Sequence, residues 1–143
     1  MADSLDLGCF SVSLAVADLD RSVAFYEALG FSIIGGEGDY RILSNGTTKI
    51  GVFANMFEDN ILTFNPGLPQ NWPDDAADGV IAGAGDAPGL PGPIDGFTDV
   101  RSIEKRLNEA GIELGHATET EAGPDHLMLT DPDGNQILID QFF

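Results

Sequence analysis

The sequence is short of cysteine and of basic residues. Cys9 is the only cysteine among 143 residues, so no disulfide can form within the chain and no thiolate metal cluster can be built. Only 6 Lys and Arg stand against 24 Asp and Glu, and the net charge of -18 is spread along the chain. Nucleic acid and anionic lipid both need Lys and Arg for charge neutralisation. We therefore predict that the protein binds neither nucleic acid nor membranes.

Long apolar runs are also absent. No stretch approaches the roughly 20 residues that a membrane-spanning helix needs, and the first residues, MADSLDLGCF, lack the basic and apolar regions of a secretory signal. Hydrophobic residues nevertheless make up 43% of the chain, which is enough for the packed interior of one domain. These features predict a single cytoplasmic domain.

One helical segment occurs twice in the chain. Residues 18–31 (DLDRSVAFYEALGF) and 99–112 (DVRSIEKRLNEAGI) have the same length, the same leading Asp and a Gly before the last residue. The Asp side chain can cap the first turn of a helix, and the Gly can adopt the left-handed conformation that ends one. The repetition predicts a duplicated module.

Alternating apolar residues predict the strands that surround these helices. The Asn45-Gly46 pair lies between two such strands, and both residues tolerate the positive φ of a tight hairpin turn. The pattern predicts an α+β fold of two βαβββ modules, 1–56 and 57–143, with largely antiparallel sheets. The predicted strands are 12–16, 31–34, 40–43 and 49–53 in the first module, and 61–65, 112–114, 126–130 and 136–141 in the second.

A stretch rich in Pro, Gly and Asp is inserted into the second module at 68–96. It has no clear periodicity and few apolar anchors, among them Trp72. A loop of this length inside a compact domain is usually either functional or poorly ordered. We interpret it as a candidate lid.

Two motifs carry a resemblance to a known family. The run VADLDRS at 16–22 leads into Phe25-Tyr26 and Leu29-Gly30-Phe31, and DPDGN at 131–135 precedes an apolar last strand. Together with the duplication, these motifs resemble the vicinal oxygen chelate superfamily, which includes glyoxalases, bleomycin-resistance proteins and extradiol dioxygenases. The resemblance implies curved sheets around a cleft that a dimer often completes, and we accordingly expect a homodimer.

In metal-dependent members of that superfamily, ligands lie at the start of each module's first strand and within its last strand. Relatives have His or Gln at the first of these positions and Glu at the last. Hydroxyl, amide and hydrocarbon side chains cannot supply the ligand set of a catalytic metal. We therefore predict no metal at the family's usual site and no cofactor. By the match, the four positions carry Ser11, Ile50 or Gly51, Asn60 or a residue near Gly92, and Leu138.

The two histidines offer other possibilities. His126 lies beside Leu127 in a predicted strand, where it could act as a base or hydrogen-bonding group in the cleft or could be merely structural. His116 lies in a loop with Glu119 and Glu121 and is expected to be solvated. A metal site built from both histidines and these acids has suitable ligand types but no tight spacing.

Strand alternation predicts which side chains line the cleft. If Ser11 faces the cleft, Ser13 shares its face, and in the last strand Leu138 points inward together with Gln136 and Asp140. This mixture of apolar, aromatic and amide groups suits a small organic ligand, and the alternative is a filled core without a cavity. The candidate ligand-binding residues are Ser11, Ser13, Phe53, Asn55, Asn60, Leu62, Phe64, Trp72, His126 and Leu138.

We therefore expect a metal-independent protein that binds a small, partly apolar organic molecule in the cleft, as the drug-sequestering members of the superfamily do. The alternative is a metal-dependent lyase, isomerase or dioxygenase of the same superfamily that uses a displaced metal site. No catalytic residue can be named from the sequence.

Overall fold

The computed structural model describes residues 5–72 and 93–143. The first half of the chain has the expected order βαβββ, and the second half has the order βαββ. Within the described residues the elements are β1 (Cys9–Val16), α1 (Leu19–Ala28), β2 (Ser32–Gly35), β3 (Tyr40–Asn45), β4 (Thr48–Ala54), β5 (Ile61–Asn65), α2 (Val100–Glu109), β6 (Asp125–Thr130) and β7 (Gln136–Gln141).

The strands form one mixed seven-stranded sheet with the order β2-β3-β4-β1-β5-β7-β6. Each module contributes one parallel pair, β1 with β4 and β5 with β7. The other four pairs are antiparallel, which confirms the predicted α+β fold with largely antiparallel pairing. The modules meet where β1 runs antiparallel to β5, so they share one continuous sheet.

The predicted helix ends are confirmed in both modules. The Asp18 carboxylate accepts a hydrogen bond from the Arg21 backbone N–H at 3.1 Å, and Asp99 accepts one from the Arg101 N–H at 2.9 Å. Such caps satisfy N–H groups that have no partner within the helix. Gly30 has a φ of 98° just after α1, as the predicted left-handed helix end requires.

Both helices cover the same face of the sheet. Val23 of α1 packs against Leu43 and Val52, which are completely buried. Ile103 of α2 is completely buried in a second cluster with Leu127 and other apolar residues. Because side chains alternate along a strand, the residues between these core positions point to the opposite face.

The strand predicted at 112–114 is wrong. This part of the chain reaches the sheet at one isolated bridge, between His116 and Met128 on β6. The backbone N–H groups of Gly115 and His116 both donate to the Met128 carbonyl, at 2.7 and 3.1 Å, so the segment contacts the middle of β6 at one point and forms no strand beside it. Ile112 remains 40% exposed because no strand neighbour covers it.

Most of the predicted lid lies outside the described residues, which end at Trp72 and resume at Pro93. None of the helices in the described ranges is long and apolar enough to cross a membrane.

Candidate functional site

The face of the sheet that the helices leave open carries a cleft of about 630 Å³. Its floor is formed by the inward-pointing residues of the central strands. Ser11 and Ser13 on β1 lie beside Thr63 on β5, and Leu138 on β7 continues the floor on the far side. Residues of both modules therefore contribute to one site.

A short polar line crosses the middle of this floor. The hydroxyls of Ser13 and Thr63 are 2.7 Å apart and form a hydrogen bond that links the two modules. Ser11 is 8% exposed, and its hydroxyl makes no hydrogen bond to another described residue. A hydroxyl that borders a cavity in this way can donate to a bound molecule and accept from it.

Aromatic rings form the wall of the cleft on the side of the first module. Tyr40 and Phe53 lie directly opposite each other on β3 and β4, with ring centroids 5.2 Å apart and planes only 6° from parallel. The Phe57 ring tilts against Phe53 at 5.1 Å, and Trp72 lines the same space at 5% exposure. Such rings offer flat apolar surfaces against which another ring can stack.

The end of the cleft on the side of the second module carries an acid. Asp140 lines the cavity, and its backbone carbonyl accepts a hydrogen bond from the Asn65 amide at 2.9 Å. Burial raises the pKa of Asp140 to about 6, and the nearby His126 opposes this shift. The carboxyl group makes neither a hydrogen bond nor an ion pair with the part of the chain that the structure describes.

Lys49 lies at the border of the cleft near its floor. The side chain is buried, and its ammonium group donates to the Ser44 hydroxyl at 3.0 Å and to the Gly46 carbonyl at 3.3 Å. These bonds hold the positive charge at the β3–β4 turn. Nearby, burial raises the pKa of the Cys9 thiol to about 11 against the influence of Lys49, so the thiol is protonated and a weak nucleophile at neutral pH.

The histidines come together with Asp125 at the outer edge of the sheet. The rings of His116 and His126 stack with centroids 4.3 Å apart and planes 7° from parallel. Ligand atoms of these three residues lie within 4.8 Å of one another, and the His116 Nε2 atom is buried without a hydrogen-bond partner in the described residues. The nitrogen lone pairs of an imidazole lie in its ring plane, and two separate parallel planes do not meet at one point, so a shared metal would require one ring to turn.

Asp125 is already engaged in that cluster. Its carboxylate accepts hydrogen bonds from the Thr120 hydroxyl and N–H, both at 2.7 Å, and from the Glu119 N–H at 2.8 Å. The Thr120 hydroxyl bond is the largest of the causes that lower the pKa of Asp125. Arg101 adds an ion pair at 3.8 Å. These contacts hold the loop that carries His116 against the start of α2.

The structure brings part of the predicted set together. Residues on β1, β4 and β7 and the start of the inserted loop line the cleft, and the rest lie elsewhere. Those that line it are Ser11, Ser13, Phe53, Trp72 and Leu138, and those outside its lining are Asn55, Asn60, Leu62, Phe64 and His126.

The difference on β5 has a simple geometric cause. Asn60 precedes the strand, and its side chain accepts a hydrogen bond from the Ala15 N–H at 3.1 Å. Leu62 and Phe64 therefore point to the helix side, where Phe64 packs against the core below α2. A shift of one residue along a strand exchanges its two faces.

The remaining two residues lie at the margins of the sheet. Asn55 is exposed and has a φ of 60° in the turn after β4. His126 faces the same side of the sheet as Asp140, its partner across β6 and β7, but it stacks against His116.

Several cleft residues were missed by the sequence reasoning. Ile61, Thr63 and Asn65 are the inward set of β5, and their alternation with Leu62 and Phe64 was visible in the sequence. The hydropathy pattern pointed the wrong way, because the more apolar residues face the helices and the polar ones face the cleft. Lys49 gave no signal, because a lysine at a strand end is usually solvated.

The comparisons with known proteins agree with this architecture. The sequence profile of the Glyoxalase/Bleomycin resistance protein/Dioxygenase superfamily matches residues 9–139, which is nearly the whole chain. The chain belongs to this superfamily. A comparison with curated proteins found no match.

Solved structures share the fold at low sequence identity. A superfamily member from Vibrio splendidus 12B01 is 15% identical, with a TM-score of 0.55, and the match covers 92% of this chain and 97% of the other. An NAD-dependent benzaldehyde dehydrogenase from Legionella pneumophila is 13% identical, with a TM-score of 0.60 and coverage of 94% and 99%. An extradiol ring-cleaving dioxygenase from B. fuscum is 15% identical, with a TM-score of 0.52, and the match covers 99% of this chain and 33% of the dioxygenase.

The residues at the superfamily's metal positions do not fit a divalent cation. Ser11 and Leu138 line the cleft, but Asn60 lies outside its lining and is bound to the backbone of Ala15. The alternative position near Gly92 lies outside the described residues, and Ile50 packs against the core on the helix side. Gly51 has no side chain, and a Cβ there would lie 2.5 Å from the Phe53 ring. One hydroxyl and one aliphatic side chain facing the cleft cannot hold a catalytic metal.

Proposed function

We propose that this protein binds a small, partly apolar organic molecule in the cleft and needs no metal to do so. The observation that carries the proposal is the composition of the cavity of about 630 Å³: aromatic and aliphatic walls with a few polar groups on its floor. Small-molecule sites typically have volumes of a few hundred Å³ and this kind of lining. Superfamily membership alone would not assign it, because one fold hosts many chemistries.

The arrangement of the lining suggests how a ligand would lie. A ring can stack beside Tyr40 and Phe53 and contact Trp72, while a polar substituent reaches the hydroxyls on the floor. Ser11 is the main candidate for a direct hydrogen bond, since Ser13 and Thr63 already bond each other. The expected homodimer and the cytoplasmic location stay predictions of this proposal.

A second function has one specific observation in its favour. His116, Asp125 and His126 could hold a transition metal after a rotation of one ring, and the orphaned Nε2 atom of His116 offers a free ligand position. A metal there would support a lyase, isomerase or dioxygenase with a displaced site. The vacant family positions and the hydrogen bonds that occupy Asp125 make this the weaker reading.

Calorimetric titration tests the leading proposal. Naphthylmethanol, which combines a flat apolar ring with one hydroxyl, is added to protein dialysed against EDTA and to untreated protein. We expect one molecule to bind per chain with the same affinity in both samples, because the cleft supplies all contacts. Absence of binding, or binding that EDTA removes, would contradict the proposal.

Elemental analysis of the purified protein separates the two functions. We expect no stoichiometric Zn, Ni, Mn or Fe. One equivalent of such a metal that disappears in His126→Ala would favour the displaced metal site.

A further inference from the structure

The cleft contains a carboxyl group that has neither a hydrogen bond nor an ion pair with the described residues. It belongs to Asp140, which lines the cavity together with Leu138 and Phe142. The charge of the nearby His126 acts on it without direct contact. Removing an ionised carboxylate from water is costly unless it is paired. Burial raises its pKa to about 6, yet above that pH it carries its charge into an apolar space. Such a group is satisfied when a cation binds beside it.

The other wall of the cleft is suited to the apolar ring of such a ligand. Tyr40 and Phe53 lie with their ring planes nearly parallel, and Phe57 and Trp72 extend the aromatic surface. A ligand ring can pack against these faces while a positive group attached to it lies at Asp140. The overall charge of -18 also raises the local concentration of cations around the molecule.

The lysine of the cleft does not oppose this arrangement. Lys49 directs its ammonium group to Ser44 and Gly46 at the β3–β4 turn, in the first module. Asp140 lies on β7 in the second module, beside Asn65 of β5. The ammonium group of Lys49 and the carboxyl group of Asp140 therefore lie in different parts of the cleft.

We propose that the natural ligand carries a protonated amine or a quaternary ammonium group attached to an apolar ring, and that Asp140 recognises the positive charge. This proposal rests on the proposed function and specifies its ligand class. Two titratable groups share this side of the sheet with Asp140: His126, its partner across β6 and β7, and Cys9, which lines the cavity floor. His126 stacks against His116 and makes no hydrogen bond to the Asp140 carboxyl in the described structure.

Three probes with the same ring test the charge preference: naphthylmethylamine, naphthylmethanol and naphthoate. We expect the amine to bind about tenfold more tightly than the alcohol and the carboxylate to bind most weakly, since tenfold corresponds to one well-placed charged contact. Equal binding of amine and alcohol would overturn the cation proposal and leave the proposed function standing. Failure of all three to bind would contradict both.

The variant Asp140→Asn tests whether Asp140 is the residue that recognises the amine. It should reduce the affinity for the amine about tenfold and leave the affinity for the alcohol unchanged. Asp133→Asn is the matched control, because it removes the same charge from an exposed turn. An equal effect of both variants would show that only the overall charge matters, which would overturn the role of Asp140.

A melting curve shows that the variant is folded. We expect Asp140→Asn to melt at a higher temperature than the natural sequence, because it removes a partly buried charge that has no hydrogen bond or ion pair in the described structure. Asp140→Ser provides a second variant if the amide disturbs the strand, and it should show the same selective loss of amine binding. Retained preference for the amine in both variants would contradict the proposal.

Discussion

The two ends of the cleft have the same backbone but opposite chemistry. In the first module Tyr40 pairs with Phe53 across β3 and β4, and in the second His126 pairs with Asp140 across β6 and β7. The pairs occupy corresponding positions, because β4 runs parallel to β1 and β7 runs parallel to β5. One end therefore presents stacked rings and the other a carboxyl group. The duplicated backbone therefore determines where these side chains lie, and the residue type at each position determines what the cleft can bind.

The two helices show a second difference. The side chain of Gln141 accepts a hydrogen bond from the Val100 N–H at 2.7 Å and donates to the Asp99 carboxylate at 3.2 Å, so β7 holds the start of α2. In the first module β4 ends instead at Ala54, which has no polar side chain to offer. The second module thus relies on a buried polar contact that the first module lacks.

We expect the largest effect on ligand binding when a bulky side chain fills the cleft between its aromatic end and its acidic end. Ser11 stands in the middle of the floor, so Ser11→Trp should fill the cleft and reduce naphthylmethanol binding by about 100-fold or more. The control Thr48→Trp places the same side chain at an exposed site and should bind normally. Calorimetry measures both. Unchanged binding of naphthylmethanol to Ser11→Trp would show that the ligand binds outside the cleft.

Truncation of one core side chain on each helix should lower the free energy of unfolding by different amounts. Ile103 of α2 is completely buried, and Ile103→Ala should lower the free energy of unfolding by about 2–5 kcal/mol. Val23 of α1 is 9% exposed and has a side chain smaller by one methylene group, so Val23→Ala should cost less. Urea denaturation gives both values. A greater loss of stability in Val23→Ala would contradict this order.

Removal of the polar contact at α2 should have a moderate effect. Gln141→Ala leaves the Val100 N–H buried without its partner, which should cost about 1–3 kcal/mol in the free energy of unfolding. Gln136→Ala on the same strand is the control, because no hydrogen bond of its side chain is found in the described structure. Equal stability of the two variants would mean that the helix start does not depend on Gln141.

The smallest effect concerns the acid end and depends on pH. The pKa of Asp140 is about 6 in the folded protein, above its ordinary value, so the native state takes up this proton more readily than the unfolded chain. Its contribution to stability is present at about pH 4 and is lost as the pH rises through about 6. At about pH 7, Asp140→Asn should therefore be more stable than the natural sequence by about 1 kcal/mol, since partial exposure of Asp140 to water weakens the effect.

The pH profile itself provides the check. The stability gap between Asp140→Asn and the natural sequence should shrink as the pH falls below about 6 and should vanish below about pH 4, where the carboxyl group becomes protonated in the folded and the unfolded state. Asp133→Asn should show no such gap, since this acid lies in an exposed turn. A gap that is independent of pH would contradict the account of Asp140.

Much of the fold could be predicted because helix ends and strands are determined by neighbouring residues in the sequence. Asp18 and Asp99 cap helices, Gly30 ends one, and the strands 61–65 and 136–141 have the predicted bounds. Each of these features depends on a few neighbouring residues, so its physical cause is contained in the local sequence. The segment at 112–114 failed because an apolar alternation does not reveal whether a neighbouring strand edge is long enough to pair with it.

The site was less readable because it depends on register. Ser11 and Leu138 could be placed by matching a motif, but the face of β5 was inverted by one residue. Apolar Leu62 and Phe64 looked like ligand contacts, although they complete the core below α2. The lack of a hydrogen bond or ion pair at the Asp140 carboxyl in the described structure could not be predicted, and neither could the orientation of Lys49. Both depend on which groups lie nearby in space.

The most direct test is a nuclear magnetic resonance titration of EDTA-treated protein with naphthylmethanol. Trp72 is the only tryptophan, so its indole N–H gives a single assigned signal inside the cleft. We predict that this signal and the amide signals of Ser13 and Thr63 shift together with one affinity, while those of Thr48 and Thr130 on the exposed surface stay in place. No shifts, or shifts confined to the region of His116 and His126, would contradict a metal-independent ligand site in the cleft.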